Sequence, residues 1–384
     1  MKIHKMKRYF IVILLLSFYQ GYSQVKKKLT DLDQLNKCIS EHTSYFTFDG
    51  QKPIGKGWDV LTRLFAQNQF VGWGEYHNSP LLSQLTVFAL ENAAKNGYKT
   101  WCVETGPFVA KELMRIAHSK SPADTLVKLF NEGYPQIGTF PFFSNKVDAK
   151  MLAAVSQYKF AIWGIDQEFQ MSFSYLINKV YAGQSKGIRE RYKSVYDSLV
   201  RKWWNPETKL LDSLIKAIPQ KHFKKVLNDI KLSKEIYNYG DNAGRAALMK
   251  SNFFNYYDIA AKNEKVFFKM GSNHLAKGIN LYTQVYDIGN AVYELAERNK
   301  TKYANVYIMA RYTTEKGKIV DDLESEENEN PKVFSKLYDK DKWILVDVSA
   351  LKPKMKHDNS LPHDAYQIIE KYDYVLVSPE IMKE

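Results

Sequence analysis

The sequence predicts an α/β protein: a mostly parallel central sheet flanked by helices, with a helical insertion over its active edge. Three observations carry this. Seven short apolar runs (70–73, 100–103, 160–165, 266–270, 306–310, 343–348 and 374–377) have the length and unbroken hydrophobicity of buried parallel strands. The early runs alternate with stretches of helical period, the order that builds right-handed parallel crossovers. From about residue 170 to 261 the strand pattern stops, and long Lys-rich amphipathic patterns replace it, with Pro206 and Pro219 as breaks.

In chain order, the first 23 residues read as an export signal. Lys2, Lys5, Lys7 and Arg8 precede an apolar run from Tyr9 to Phe18 that is too short to cross a bilayer. Gly21 and Ser23 then supply the small residues of a cleavage site. The expected mature chain starts near Gln24, is exported to the periplasm or the medium, and forms a single domain to residue 384. No later run approaches the roughly 18 apolar residues of a transmembrane span. Four of the 55 basic residues fall in the leader and none of the 42 acidic ones, so the excess beyond it is +9. That modest surplus is spread over Lys26–Lys28, Lys221–Lys225 and scattered helix faces, with no nucleic-acid motif behind it. Cys38 and Cys102 are the only cysteines. Cys102 lies within an apolar strand pattern, where a thiol acts as a small hydrophobe rather than a bridge partner.

The helical stretches carry their own punctuation. In Ser79–Lys95, Leu81, Leu82, Leu85, Phe88 and Leu90 recur at mostly helical spacing and Pro80 suits the first turn. In Lys146–Tyr158, Met151, Leu152 and Val155 share a face. The charged stretch Thr313–Pro331 is predicted as an exposed loop or short hairpin.

Four strand ends share one grammar. Phe70–His77 (FVGWGEYH) closes on Glu75 and His77, Thr100–Glu104 on Glu104, Phe160–Asp166 on Asp166, and Val266–His274 on His274. Polar residues at the carboxyl ends of buried strands in an open α/β sheet converge on the ligand crevice. Glu75 and His77, two apart on extended backbone, face the same side. A carboxylate beside an imidazole fixes its tautomer and raises its basicity, as a general base acting on water requires. The same four residues, Glu75, His77, Glu104 and His274, would also serve as a metal shell, and the spacing does not separate the two readings. Arg245, Met249 and Asn252 follow at i, i+4 and i+7, a helix stripe mixing a cation, a thioether and an amide. The segment Gly138–Phe143 (GTFPFF) and the pair Trp203–Trp204 are candidates to wall an apolar pocket. His42, His118, His222, His357 and His363 lack partners in the pattern and read as surface residues.

GEYHNSP (74–80), VETG (103–106), GID (164–166), the Arg245 helix and MGSNHLAKG (270–278), in that order and spacing, resemble the erythromycin-esterase/ChaN/Tiki superfamily of α/β proteins. The resemblance spans about Phe70 to Gly278. GExH followed by Pro is nearest the ChaN-type haem-binding branch, whereas Gly164–Asp166 and the stripe of Arg245, Met249 and Asn252 match the RDxxMAxN helix of the erythromycin-esterase branch. The chain departs from both: it has GExH where the esterases show GExxH, Ala246 and Lys250 replace two residues of their helix motif, and Asn78 with Leu81–Leu82 stand where ChaN tends to show Asp and a His pair.

The resemblance implies an exported hydrolase of ester or related acyl bonds acting on a small-molecule substrate. His77 would be the general base. Glu75 and Glu104 would orient and polarise, Arg245 would stabilise negative charge, and His274 would be a second acid or base. Asp166 would anchor one of the basic partners or bind substrate, and Asn252 would bind substrate. The hydrolase reading requires no cofactor, and the absence of a Gly-x-Ser-x-Gly elbow disfavours a serine nucleophile. Two alternatives follow from the same resemblance: a ChaN-type haem or iron uptake protein, and a Tiki-type peptidase with a divalent metal on Glu75, His77, Glu104 and His274.

Overall fold

The computed structural model describes residues 32–49, 52–132, 139–143, 146–315, 317–325, 330–354 and 361–383. The export signal, Lys26–Lys28, Gly138 and His357 lie outside them. Among the described residues, ten strands form one sheet: β1 (Thr43–Asp49), β2 (Lys52–Ile54), β3 (Phe70–Glu75), β4 (Thr100–Val103), β5 (Ala161–Gly164), β6 (Val266–Gly271), β7 (Tyr303–Glu315), β8 (Lys318–Asp321), β9 (Trp343–Asp347) and β10 (Tyr374–Lys383). Their order is β2-β1-β9-β10-β7-β3-β6-β4-β5, with β8 paired to β7. The six strands from β10 to β5 run parallel to one another.

All seven apolar runs are strands, but β9 is antiparallel to both β1 and β10 rather than parallel. Four of its five residues are buried, as in the parallel strands. An apolar run reports burial on both faces, not direction. The first part of the charged stretch, to Asp321, is the predicted hairpin, with β7 running on to Glu315 and β8 turning back along it, and residues 326–329 lie outside the described residues. The sequence reading did not anticipate β1 and β2. β1 alternates buried and exposed residues at the sheet's margin, and its Ser and Thr content gives no apolar run.

Both faces of the sheet are covered. On one, Trp73, Trp101 and Phe267 pack beneath the helices Lys56–Gln67, Pro80–Lys95, Pro107–Ala117 and Lys146–Tyr158. On the other, Phe70, Phe268 and Met270 meet Met249 and Phe253 of the helix Asn242–Tyr257 and Val292 of the helix Ile288–Arg298. Each such large, fully buried side chain contributes roughly 1.5–3 kcal/mol relative to exposure. Ser79 caps the helix Pro80–Lys95 by accepting from the Leu82 N–H at 3.0 Å, and Pro80 occupies its first turn. This fixes how the chain leaves β3 and where His77 sits.

The insertion is helical throughout its described length, from the helix Gln170–Ala182 to the helix Asn242–Tyr257. Pro206 and Pro219 fall between helices, as expected. Gly240, left-handed at φ 59°, ends the helix Lys221–Tyr239. Asp241 then caps the next helix, accepting from the Gly244 N–H at 2.8 Å. That turn places Arg245 in the first turn of a helix lying against β5 and β6. Among the described residues, no helix is long and apolar enough to cross a membrane.

Candidate active site

The four strands that carry the polar ends are consecutive in the sheet, β3-β6-β4-β5, and all parallel. Their carboxyl ends therefore lie side by side. The chain goes outward through β3, β4 and β5, crosses the insertion, and returns as β6 between β3 and β4. A crevice at such a reversal of strand order is where open α/β sheets place ligands. Glu75 is the last residue of β3, Glu104 follows β4, Asp166 follows β5 by two residues, and His274 sits in the 3-10 turn Ser272–Leu275 after β6.

Glu104 is the centre of the cluster. It is 3 % exposed. Its Oε2 accepts from the Gly271 N–H at 2.6 Å and its Oε1 from Arg245 at 2.9 Å. Both imidazoles aim their Nε2 atoms at it, His77 at 3.7 Å from Oε2 and His274 at 3.4 Å from Oε1. Each imidazole has a carboxylate behind it: His77 Nδ1 is 3.2 Å from Glu75 Oε1, and His274 Nδ1 is 2.8 Å from Asp287 Oδ2. An ionised carboxylate only accepts, so in both rings Nδ1 carries the proton. The glycine at 271 leaves room for this approach, since a side chain there would press both groups by a few tenths of an ångström. A Cβ there would lie 3.0 Å from His77 Nε2 and 3.2 Å from Glu104 Oε2.

Arg245 reaches in from the insertion and bridges two strand ends, its Nε donating to Asp166 at 3.0 Å and one terminal nitrogen to both Asp166 and Glu104. Asn252 donates to the Ile165 carbonyl at 2.9 Å. Asp166 is fully buried and also accepts from the Gln167 N–H. Asp166 thus sits as an anchor of a basic partner, Arg245, and Asn252 ties the insertion to the end of β5. Arg245 is likewise matched to two carboxylates rather than left with its whole fork free for a developing anion.

The charges divide the two histidines. Burial opposes a proton on His274, yet Glu104 and Asp287 lift it to a pKa of about 10. Burial also opposes a charged His77, and Glu104 and Glu75 outweigh it, raising it above the usual imidazole value while Lys269 pulls the other way. Glu104 is held well below the ordinary carboxylate range, its burial being overcome by His274, His77 and Arg245. At neutral pH His274 carries a proton, and His77 is the group nearer to exchanging one.

His77 is also the group at the opening, with 35 % of its side chain exposed. The ring of Phe142 stacks on it, centroids 4.1 Å apart and planes within 17°. Phe169 meets Phe142 edge-on at 5.6 Å, and the Arg245 guanidinium lies 5.7 Å from the Phe169 ring. Phe142 has φ 62°, a left-handed conformation costly for a bulky residue and characteristic of functional positions. Of the expected aromatic wall, then, Phe142 faces the site, whereas Phe140 and Phe143 are core. Trp203 and Trp204 pack on each other at 5.0 Å, with Trp204 half exposed.

Two site residues were not anticipated. Asp287 caps the helix Ile288–Arg298 with one oxygen and orients His274 with the other. Its only sequence signal was a position one residue before an amphipathic helix. Lys269, 5 % exposed within β6, contacts the second oxygen of Glu75. A lysine inside an otherwise unbroken apolar strand was the available signal, since lysine is almost never buried unpaired.

Two of the readings drawn from the resemblance call for a divalent metal or haem, and the donors here are engaged with one another. Glu104 already accepts from Gly271 and Arg245, and among the described residues no group of three or more His, Cys, Asp or Glu is placed to hold a metal ion. Haem ligation by His77 would require its Nε2 to turn from Glu104, 3.7 Å away.

No family model and no curated protein matches the chain. Solved structures do. An erythromycin esterase, EreC, in its open conformation is 13 % identical with a TM-score of 0.56, covering 88 % of this chain and 97 % of its own. A succinoglycan biosynthesis protein is 14 % identical with a TM-score of 0.51, covering 91 % and 97 %. Haem-bound ChaN of Campylobacter jejuni superposes more loosely, at 12 % identity and a TM-score of 0.35 over 87 % and 96 %, and bears on nothing further. At such identities the likeness is one of fold. The resemblance read from the strand-end motifs holds at that level: this chain has an erythromycin-esterase-like fold.

Proposed function

We propose that this protein is an exported hydrolase that uses water to cleave an ester or related acyl bond of a small molecule. The observation that carries the reading is the convergence of two carboxylate-backed imidazoles, both presenting Nε2, on one buried glutamate at the mouth of the crevice. His77, half-buried and with Nδ1 fixed by Glu75, takes the proton from water through Nε2, which at 3.7 Å from Glu104 is too far to be hydrogen-bonded to it. Protonated His274 faces the same point and supplies positive charge to the oxyanion, then a proton to the leaving alkoxide. Glu104 sets the spacing and charge between them, and Arg245 holds Glu104 in place. Phe142 offers an apolar face beside the base for the acyl or alcohol portion. Export rests on the basic, apolar and small-residue order of the first 23 residues.

The test is turnover of a panel of activated and aliphatic esters by wild type and His77→Ala. Loss of at least about 100-fold in kcat is expected for the variant, the scale of a general-base contribution. The thermal midpoint should stay within a few degrees, because His77 lies at the opening rather than in the core. Undiminished turnover in His77→Ala would remove the general-base assignment.

A further inference from the structure

Lys269 is an unusual residue in its place. It lies in register with Trp73 of β3 and Val103 of β4, on the sheet face that carries the buried aromatics Trp101 and Phe267. Methionine there would fill similar space without desolvating an ammonium group, and such replacements of buried ion pairs are often neutral or stabilising. Yet the side chain runs up the sheet to Glu75 Oε2. The other oxygen of that carboxylate holds His77 Nδ1 at 3.2 Å. Lysine, glutamate and histidine thus form a line from beneath the sheet edge to the mouth of the crevice.

We propose that Lys269 is a positioning residue that decides which nitrogen of His77 carries the proton, an inference that rests on the reading of His77 as the base. With the ammonium in place Glu75 is an ionised acceptor, so Nδ1 must donate to it and Nε2 keeps its lone pair toward the crevice. Without the ammonium, a carboxyl group 5 % exposed has its burial unopposed by any cation but His77 itself, and it takes up a proton. A protonated Glu75 donates to Nδ1, and Nε2 then bears the hydrogen and cannot accept one from water. The groups facing this line are Glu75 and His77 at the end of β3 and Glu104 beyond His77. The His274 dyad is built differently. Asp287 is held by the Ile288 N–H at a helix start and by the Asn280 amide, with no lysine among the described residues. Lys269 therefore acts on one imidazole and not the other.

The experiment compares wild type, Lys269→Met, Lys269→Arg and the double variant Glu75→Gln/Lys269→Met in two ways. The first needs no substrate: two-bond ¹⁵N–¹H correlations of the His77 ring, identified by their loss in His77→Ala, at a pH where the ring is neutral. Wild type and Lys269→Arg should show the Nδ1–H tautomer, and Lys269→Met the Nε2–H tautomer. The second uses any ester that wild type hydrolyses. Lys269→Met should lose about 100-fold in kcat, the cost of a misplaced catalytic group, with KM little changed. Lys269→Arg should recover most of the loss. If Lys269→Met does not fold, the double variant, which removes both charges, should fold and still show the lowered kcat, because an amide does not enforce one tautomer. A wild-type tautomer in Lys269→Met, or full activity in the double variant, overturns the proposal. If wild type hydrolyses no ester, the hydrolase reading fails by itself and the tautomer alone decides the role of Lys269.

Discussion

His77 and His274 are chemically the same side chain, and what stands behind each makes them different. Asp287 and Glu104 face His274 from both ring nitrogens and hold its proton to a pKa of about 10. His77 has the same kind of pair in Glu75 and Glu104, but Lys269 offsets part of their charge. Environments that push two titrating groups apart assign acid and base roles. The expected pH profile follows with its sign. kcat/KM should rise with pH as His77 loses its proton, with the midpoint above the free-imidazole value of about 6.5. It should fall again toward pH 10 as His274 loses its own. A profile flat from pH 5 to 10 would contradict the assignment. Glu75, His77, Glu104 and His274 were legible in the sequence because each ends an apolar run. Asp287 and Lys269 were not, because one lies in a loop and the other inside a strand, and only the fold brings them beneath the imidazoles.

At the scale of the element, the site depends on how one helix of the insertion is fastened to the sheet. Arg245 links the ends of β4 and β5 to the helix Asn242–Tyr257, and Asn252 repeats the connection one helical stretch later. Arg245→Leu leaves Asp166 buried without its cation and Glu104 with the histidines alone, a loss of about 3–5 kcal/mol. A chemical denaturation series should show that drop, together with faster proteolysis within the insertion than elsewhere; unchanged stability would mean the bridge is not formed in solution. Gly271 gives a second element-level expectation. Gly271→Ala puts a methyl 3.0 Å from His77 Nε2, so the imidazole has to move. Activity should fall at least tenfold with melting little altered, since displacing a catalytic group by about 1 Å costs on the order of 100-fold. The insertion itself was legible as a loss of strand pattern, and the breaks at Pro206 and Pro219 were legible from proline's missing N–H. The direction of β9 was not, because an antiparallel strand buried on both faces is as apolar as a parallel one.

For the whole molecule, the sheet order explains why four short motifs scattered over two hundred residues act as one. β6 returns between β3 and β4 after the insertion, and that single reversal gathers all four polar strand ends at one edge. Motif order along the chain predicts such a gathering only through the rule that connections are right-handed and ligands sit where strand order reverses. The antiparallel margin of β1, β2 and β9 lies on the far side of β10 and β7 from the site, which is why missing β1 and β2 left the reading of the crevice intact. The central claim is that His77 delivers catalysis as a base from a slot whose other wall is Phe142. Chemical rescue tests it most directly: hydrolysis by His77→Gly measured against increasing imidazole. The empty slot, still faced by the Phe142 ring, should admit free imidazole, and turnover should return in a saturating, imidazole-dependent manner from a baseline at least about 100-fold below wild type. Turnover at the wild-type level with no imidazole added would contradict the account.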